Sequence, residues 1–198
     1  AMARARKILE EGGVDSRQRL LDTASRLFRV QGYHATGLNQ IVDESQAPKG
    51  SLYHYFPDGK EQLAAEAMVN AGQSLRAKLT GLGSLSPAEA IDRLVEISIQ
   101  ELITSDYRDG CPIATVALET NSHSESIRGV CQSIFGGALQ ILTAWLVTKG
   151  LEEERARVLA LTVFSAYEGA LMLSKVQKSP QPLREVAAQL KVFVGDIP

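Results

Sequence analysis

The sequence predicts an all-α fold, on three observations. Apolar residues recur at spacings of three and four along most of the chain. No stretch alternates apolar and polar residues with the two-residue period of a half-buried strand. Serine, proline and glycine fall between the periodic stretches, where helices start and stop, as at Ser86-Pro87 and Lys149-Gly150.

Residues 1–14 read as a flexible basic arm. Arg4, Arg6 and Lys7 suit contact with phosphates or a minor groove, and a disordered solubilising tail fits the same residues. Ser16 is placed to cap a first helix, which carries Leu20, Leu21, Ala24, Leu27 and Phe28 on one stripe and ends at Gly32. Arg17 and Arg19 near its start are candidate phosphate contacts.

Residues 32–63, GYHATGLNQIVDESQAPKGSLYHYFPDGKEQL, then read as a short helix, a turn, a second short helix and a stop. Leu38, Ile41 and Val42 give the first its inward face, with the Thr36 hydroxyl ahead of it as a cap. Ser45-Gln46-Ala47 is long enough only for a turn. Pro48 suits the first position of the next helix, and Pro57 ends that helix. Leu52 and Phe56, four apart, anchor it inward, leaving Lys49, Ser51, Tyr53 and His54 as a polar, partly aromatic outer face. This succession is a helix-turn-helix, whose second helix enters a DNA major groove. Lys49 supplies a point charge for phosphate or a guanine edge, and Ser51, Tyr53 and His54 supply hydrogen bonds. Gly50, at a cost of roughly 1 kcal/mol in helix propensity, lets the backbone come close to a partner.

Asp58, three residues before Glu61, resembles a capping box opening a long helix to about residue 79. Lys60 in its first turn opposes the helix dipole unless a phosphate binds there. Ser86-Pro87-Ala88-Glu89 is a full start signal for a helix to about residue 104. A turn over 106–112 and a short helix over 113–120 follow. Ser124 begins a long helix in which Gly136-Gly137 is placed to kink it or to admit a close neighbour. A helix over about 152–176 opens with three glutamates, and a last one follows Ser179-Pro180. Glu119 and Glu168 read as isolated acids, capped or facing solvent.

The chain has 198 residues and a formal net charge of −2, enough length for a sizeable core. Residues 1–60 hold nine Lys/Arg against seven Asp/Glu, the remainder twelve against sixteen, a gradient too small to decide between a nucleic-acid surface and an ordinary solvated one. Cys111 and Cys131 have no Cys-x-x-Cys spacing and only three histidines accompany them, which argues for a reducing compartment and against a metal site or cofactor. The amino terminus offers only Ile8-Leu9 as an apolar run, so no signal peptide is expected. No run approaches the ~18 apolar residues of a membrane span, so the expectation is a cytoplasmic protein.

Gly32-Tyr33, Ala35-Thr36, Ile41, the run from Lys49 to Phe56, Lys60-Glu61 and Leu63 resemble the amino-terminal domain of the TetR family of bacterial transcriptional repressors. The GCPIATVALE run at 110–119 is similar to the LmrA/YxaF-like subgroup. Two positions depart from the family pattern. Gln46 stands where glycine is usual, which implies a non-glycine residue at positive φ, and Pro48 stands where serine or threonine is common.

The resemblance implies a three-helix DNA-binding domain over 15–60 and a helical effector-binding and dimerisation domain over 61–198. It implies DNA contacts from Thr36, Lys49, Gly50, Tyr53, His54 and Lys60, with Ser51 added by the residue reading. The function it implies is a ligand-responsive repressor on a palindromic operator, acting as a homodimer paired through the last two long helices. A small apolar or aromatic effector, lined by Met68, Phe135, Trp145 and Tyr167, would release it by moving the fourth helix. Two other classes stay open on the residues alone: a helix-turn-helix activator or DNA organiser without a ligand, and an enzyme using a helical pocket. Against the enzyme stand the missing Gly-x-Ser-x-Gly, phosphate-loop and His-Glu-x-x-His motifs.

Overall fold

The structure, a computed structural model, describes residues 2–120 and 122–195, with side chains described from Ser16 onward. Among these residues all regular structure is helical: α1 (Met2–Gln31), α2 (Leu38–Ser45), α3 (Ser51–Tyr55), α4 (Gly59–Thr80), α5 (Pro87–Thr104), α6 (Pro112–Thr120), α7 (Glu125–Thr148), α8 (Glu153–Gln177) and α9 (Gln181–Val194).

The chain divides into two compact units, and the division is not a single cut after residue 60. Unit 1 comprises Ala1–Ala71 together with Pro112–Cys131; unit 2 comprises Gly72–Cys111 and Gln132–Pro198. The short α6 and the start of α7 thus pack with the helix-turn-helix, and α4 and α7 are continuous helices that belong to both units.

In unit 1, α1 packs against α2, α3 and α6. Its expected stripe of Leu20, Leu21, Ala24, Leu27 and Phe28 is entirely buried. Each leucine or phenylalanine of that stripe contributes about 1.5–3 kcal/mol by leaving water. The helix is continuous from Met2, so the stretch expected as an arm is helical backbone, and Ala, Arg, Lys and Glu are good formers for it. The side chains of Arg4, Arg6 and Lys7 lie outside the described residues. Ser16 therefore sits inside a helix and caps nothing; its hydroxyl accepts a bond from Arg19 Nη2 at 3.2 Å.

In unit 2, α5, α8 and α9 pack together, with Ile91, Val95, Ile99, Leu102, Leu171 and Leu190 in the shared core. A second cluster joins Leu79 and Leu82 to Ala138, Leu142, Leu146 and Ala160. Ser86 and Glu89 form the expected reciprocal capping box of α5. At the start of α8 Glu152 itself is the cap, accepting from the Glu154 and Arg155 amides at 3.0 Å each. Gly136-Gly137 neither breaks α7 nor admits a neighbour: the helix is continuous and a Cβ at either position would meet nothing within 4 Å. The close approach falls at Gly72 instead, where a Cβ would lie 2.8 Å from the Ile134 side chain. By length and composition α7 and α8 are apolar enough to cross a membrane, although neither contains ~18 consecutive apolar residues.

Gln46 occupies the left-handed region at φ 54° as the carboxyl cap of α2, as the family resemblance implied. A side chain there costs roughly 1 kcal/mol relative to glycine. Gln46→Gly is therefore expected to raise unfolding stability by about that amount in urea titrations; a lowered midpoint would contradict the strain.

Candidate nucleic-acid interface

A five-residue helix has no stability of its own, since nucleation costs more than one turn of hydrogen bonds returns. What holds α3 is burial of its inner side: Leu52 is 1% exposed and Phe56, immediately after it, is 0% exposed. Arg17 of α1 lies over the Phe56 ring, 5.4 Å from its centroid, and pairs with Glu66 of α4. That engagement corrects the expectation of a free phosphate contact from Arg17. Arg19, bonded to Ser16, is likewise occupied.

The turn between α2 and α3 is built from local hydrogen bonds. Ser45 Oγ donates to Val42 O and accepts from the Ala47 amide. The Pro48 carbonyl accepts from both the amide and the hydroxyl of Ser51, at 2.8 and 2.6 Å. Pro48 therefore opens a turn and α3 starts three residues later, which corrects the expected first-position role. Lys49 and Gly50 precede the helix, with Gly50 as its amino cap. At a cap, glycine carries little of the propensity penalty expected of a helix interior. Its φ of −81° needs no glycine, and a Cβ there would touch nothing within 4 Å.

On the outer side Lys49, Gly50, Tyr53 and His54 are exposed, Tyr53 by 64%, and Ser51 is half-buried. The His54 ring stands edge-on to Tyr55 at 4.9 Å. Lys49 and Tyr53 share a hollow of about 240 Å³ with Asn39 and Asp43 of α2. Asn39 was not singled out from sequence, because an exposed asparagine inside a helix looks like any solvated position until α3 is laid beside it.

Two residues expected at DNA have partners inside the chain. Thr36 is 1% exposed and donates its hydroxyl to Gly32 O at 2.6 Å, so it closes the turn after α1. It does not cap α2 either; Gly37 occupies that place without any side-chain cap. Lys60 is half-buried with Nζ 4.3 Å from the Tyr33 ring centroid; burial lowers its pKa, offset in part by the charge of Glu119. The capping box expected from Asp58 and Glu61 is made differently: Gln62 Oε1 accepts from the Asp58 amide at 3.1 Å, while Glu61 accepts from Ser124.

The four expected effector-lining residues do not come together within one unit. Met68 is wholly buried and belongs to unit 1. In unit 2 Phe135 stacks edge-on with Phe164 at 5.7 Å, and Trp145 donates to Gly83 O at 3.0 Å. Trp145 also borders a cavity of about 30 Å³ with Leu94, Leu142 and Val163, room for little more than one water. Tyr167 hydrogen-bonds Ser98, and burial pushes its hydroxyl well above the usual range. Beside it Glu168, expected to be capped or solvent-facing, is half-buried. Its carboxyl is raised above the ordinary carboxylate range by burial, which a hydrogen bond with Cys111 partly offsets. Cys131 is buried as a small hydrophobe, 3.9 Å from Ile113 O.

A short helix held by its inner face, with a polar outer face preceded by a glycine, behind a helix of similar length, defines a helix-turn-helix protein. The comparisons agree. Residues 20–67 match the bacterial regulatory proteins, tetR family, and residues 87–189 match the transcriptional regulator LmrA/YxaF-like, C-terminal domain. The chain belongs to the TetR family of transcriptional regulators, in its LmrA/YxaF-like branch. It is 42% identical to the uncharacterized HTH-type transcriptional regulator YxaF of Bacillus subtilis, over 91% of this chain and 95% of that protein. It is 40% identical to the HTH-type transcriptional regulator LmrA of the same organism, over 88% and 94%. In fold it is similar to a TetR regulatory protein from Rhodobacter sphaeroides, with a TM-score of 0.80 at 18% identity over 88% of this chain and 96% of the other. The reduced form of Escherichia coli NemR gives 0.77 at 22% identity over 90% and 97%.

Two substitutions separate an exposed role from a buried one. Lys49→Ala is expected to weaken DNA binding and to reduce the salt slope by about one unit per half-site. Thr36→Val is expected to cost about 1–2 kcal/mol of stability and to leave that slope unchanged. Titrations of a bound duplex between low and moderate salt check both, and the reverse pattern would contradict the placement.

Proposed function

We propose that this chain is a ligand-responsive transcriptional repressor that binds an inverted-repeat operator as a homodimer and leaves it when a small apolar or aromatic effector binds. The observation that carries this reading is the division of α3, with Leu52 and Phe56 buried and Lys49, Gly50, Tyr53 and His54 presented outward. Gly50 adds weight: neither its backbone nor a neighbour in the chain demands glycine, which leaves a body outside the chain to do so. Lys49, Ser51, Tyr53, His54 and Asn39 are the residues assigned to DNA.

Dimerisation is assigned to α8 and α9. Val158, Leu161, Met172, Leu173 and Val176 share one exposed face of α8, and Val192 and Phe193 are exposed on α9. Side chains of that kind, in contiguous array, belong to a surface that another chain covers. A two-fold pair places two reading heads on one palindrome, which supplies the specificity a single short helix lacks.

The effector is assigned to unit 2, around the Phe135–Phe164 pair and Tyr167. There Tyr167, Glu168 and Ser98 set a few polar groups among apolar ones, the usual make-up of a small-molecule site. The effector acts only through unequal affinity for the bound and released states. The relatives are regulators, and catalysis forms no part of this reading; a reduced, cytoplasmic setting suits Cys111 and Cys131, which form no disulfide.

Gly50→Ala is expected to leave the fold intact and to weaken operator binding by about tenfold, since a methyl group would stand between backbone and DNA. The double variant Leu161→Glu, Val176→Glu is expected to elute as a monomer at micromolar concentration under light scattering and to lose the operator. A wild-type chain that is monomeric there, or a double variant that stays dimeric and bound, would contradict the assignment.

A further inference from the structure

The carboxyl end of α6 holds a carboxylate that operator reading by α3 does not use. Where α1 stops, Gly32 is buried at φ +84°, and a Cβ there would lie 2.0 Å from Glu119 Oε1. Glu119 Oε2 accepts from the His34 amide at 2.8 Å, and His34 Nε2 lies 3.1 Å from the Glu119 carbonyl oxygen. A single residue of α6 therefore takes hold of the α1–α2 turn through its side chain and its backbone. In the same turn Tyr33 carries Lys60 against its ring, and the negative charge of Glu119 acts on that lysine. A few residues beyond Glu119, Ser124 Oγ donates to Glu61 Oε1 at 2.5 Å, at the start of α4. Both segments that flank the reading helices, the turn before α2 and the start of α4, are thus tied to the stretch beginning at α6.

A negative charge beside a surface meant for phosphate works against affinity, so its presence calls for a positioning task. The residue preceding α6, Cys111, is hydrogen-bonded to Glu168 in unit 2. One nine-residue helix therefore follows directly on a residue tied to the buried polar groups assigned to the effector and ends on the reading head.

We infer that Glu119 is a positioning residue for operator binding: its carboxylate fixes the α1–α2 turn and keeps Lys60 on Tyr33, setting the angle at which α2 and α3 meet DNA. This rests on the operator-binding reading above. A movement of α6 is then felt at the head through this carboxylate.

The test compares Glu119→Ala and Glu119→Gln with the wild type on two duplexes, one selected by the wild-type protein from a random-sequence library and one scrambled from it. Glu119→Ala loses the acceptor for the His34 amide. It is expected to bind the selected duplex about tenfold more weakly while binding the scrambled duplex at least as well. Glu119→Gln keeps an acceptor and drops the charge. It is expected to stay within about threefold on the selected duplex and to bind the scrambled one more tightly, with a steeper salt slope. Faster exchange of the His34 amide in Glu119→Ala alone would accompany this. Wild-type binding of both duplexes by Glu119→Ala, or an equal loss on both, would overturn the inference. Should Glu119→Ala not fold, unchanged scrambled-duplex binding by Glu119→Gln would overturn it. Failure of the wild type to select any duplex would instead remove the operator-binding reading, and this inference with it.

Discussion

The burial of Leu52 and Phe56 is the interaction on which the rest depends. A five-residue helix cannot hold its shape in water, because nucleation fixes several residues for each hydrogen bond gained. Those two side chains, with essentially no exposed surface, tie α3 down where it packs against α1. The Arg17 guanidinium over Phe56, itself paired with Glu66, closes the edge of that anchor. With the inner face fixed, the outer face follows by helical geometry, and Tyr53 and His54 have nowhere else to point, with Lys49 exposed in the turn just ahead of them.

The turn is organised for the same end. Gln46 bears left-handed strain, the Ser45 and Ser51 hydroxyls satisfy local backbone groups, and Thr36 is spent on closing α1 at Gly32. The polar residues of this segment therefore divide into those that hold the backbone and those that are left for a partner, Ser51 alone serving both, since a hydroxyl that donates to Pro48 O can still accept. Residue type alone does not make that division; hydrogen-bond partners do.

Much of this was legible in the sequence for a physical reason. Periodicity and capping are local, so the α1 stripe, the Ser86–Glu89 box and the inward pair of α3 could be read directly, while the left-handed Gln46 followed only from the family resemblance. What the sequence hid were partners distant along the chain. Thr36 looked like a cap because threonine before a helix usually is one, yet the Gly32 carbonyl was nearer. Gly136-Gly137 looked like a kink, but an isolated glycine pair leaves a long packed helix intact, and the close helix approach fell at Gly72. Glu119 looked solitary because its partners stand some eighty-five residues earlier. Met68 was grouped with Phe135 and Tyr167 because chain order does not show that α4 is shared between two compact units, Met68 falling in the first and the two aromatic residues in the second.

The central claim is that the outer face of α3 lies in duplex DNA, once in each protomer. The most direct measurement replaces Tyr53 with a photoreactive benzoyl-phenylalanine and maps the cross-links on a duplex that the protein selects. Adducts on major-groove bases at two positions related by the dyad of an inverted repeat are the expected result. Adducts absent at Tyr53 but present when the same probe replaces the exposed Phe193 of α9 would contradict it.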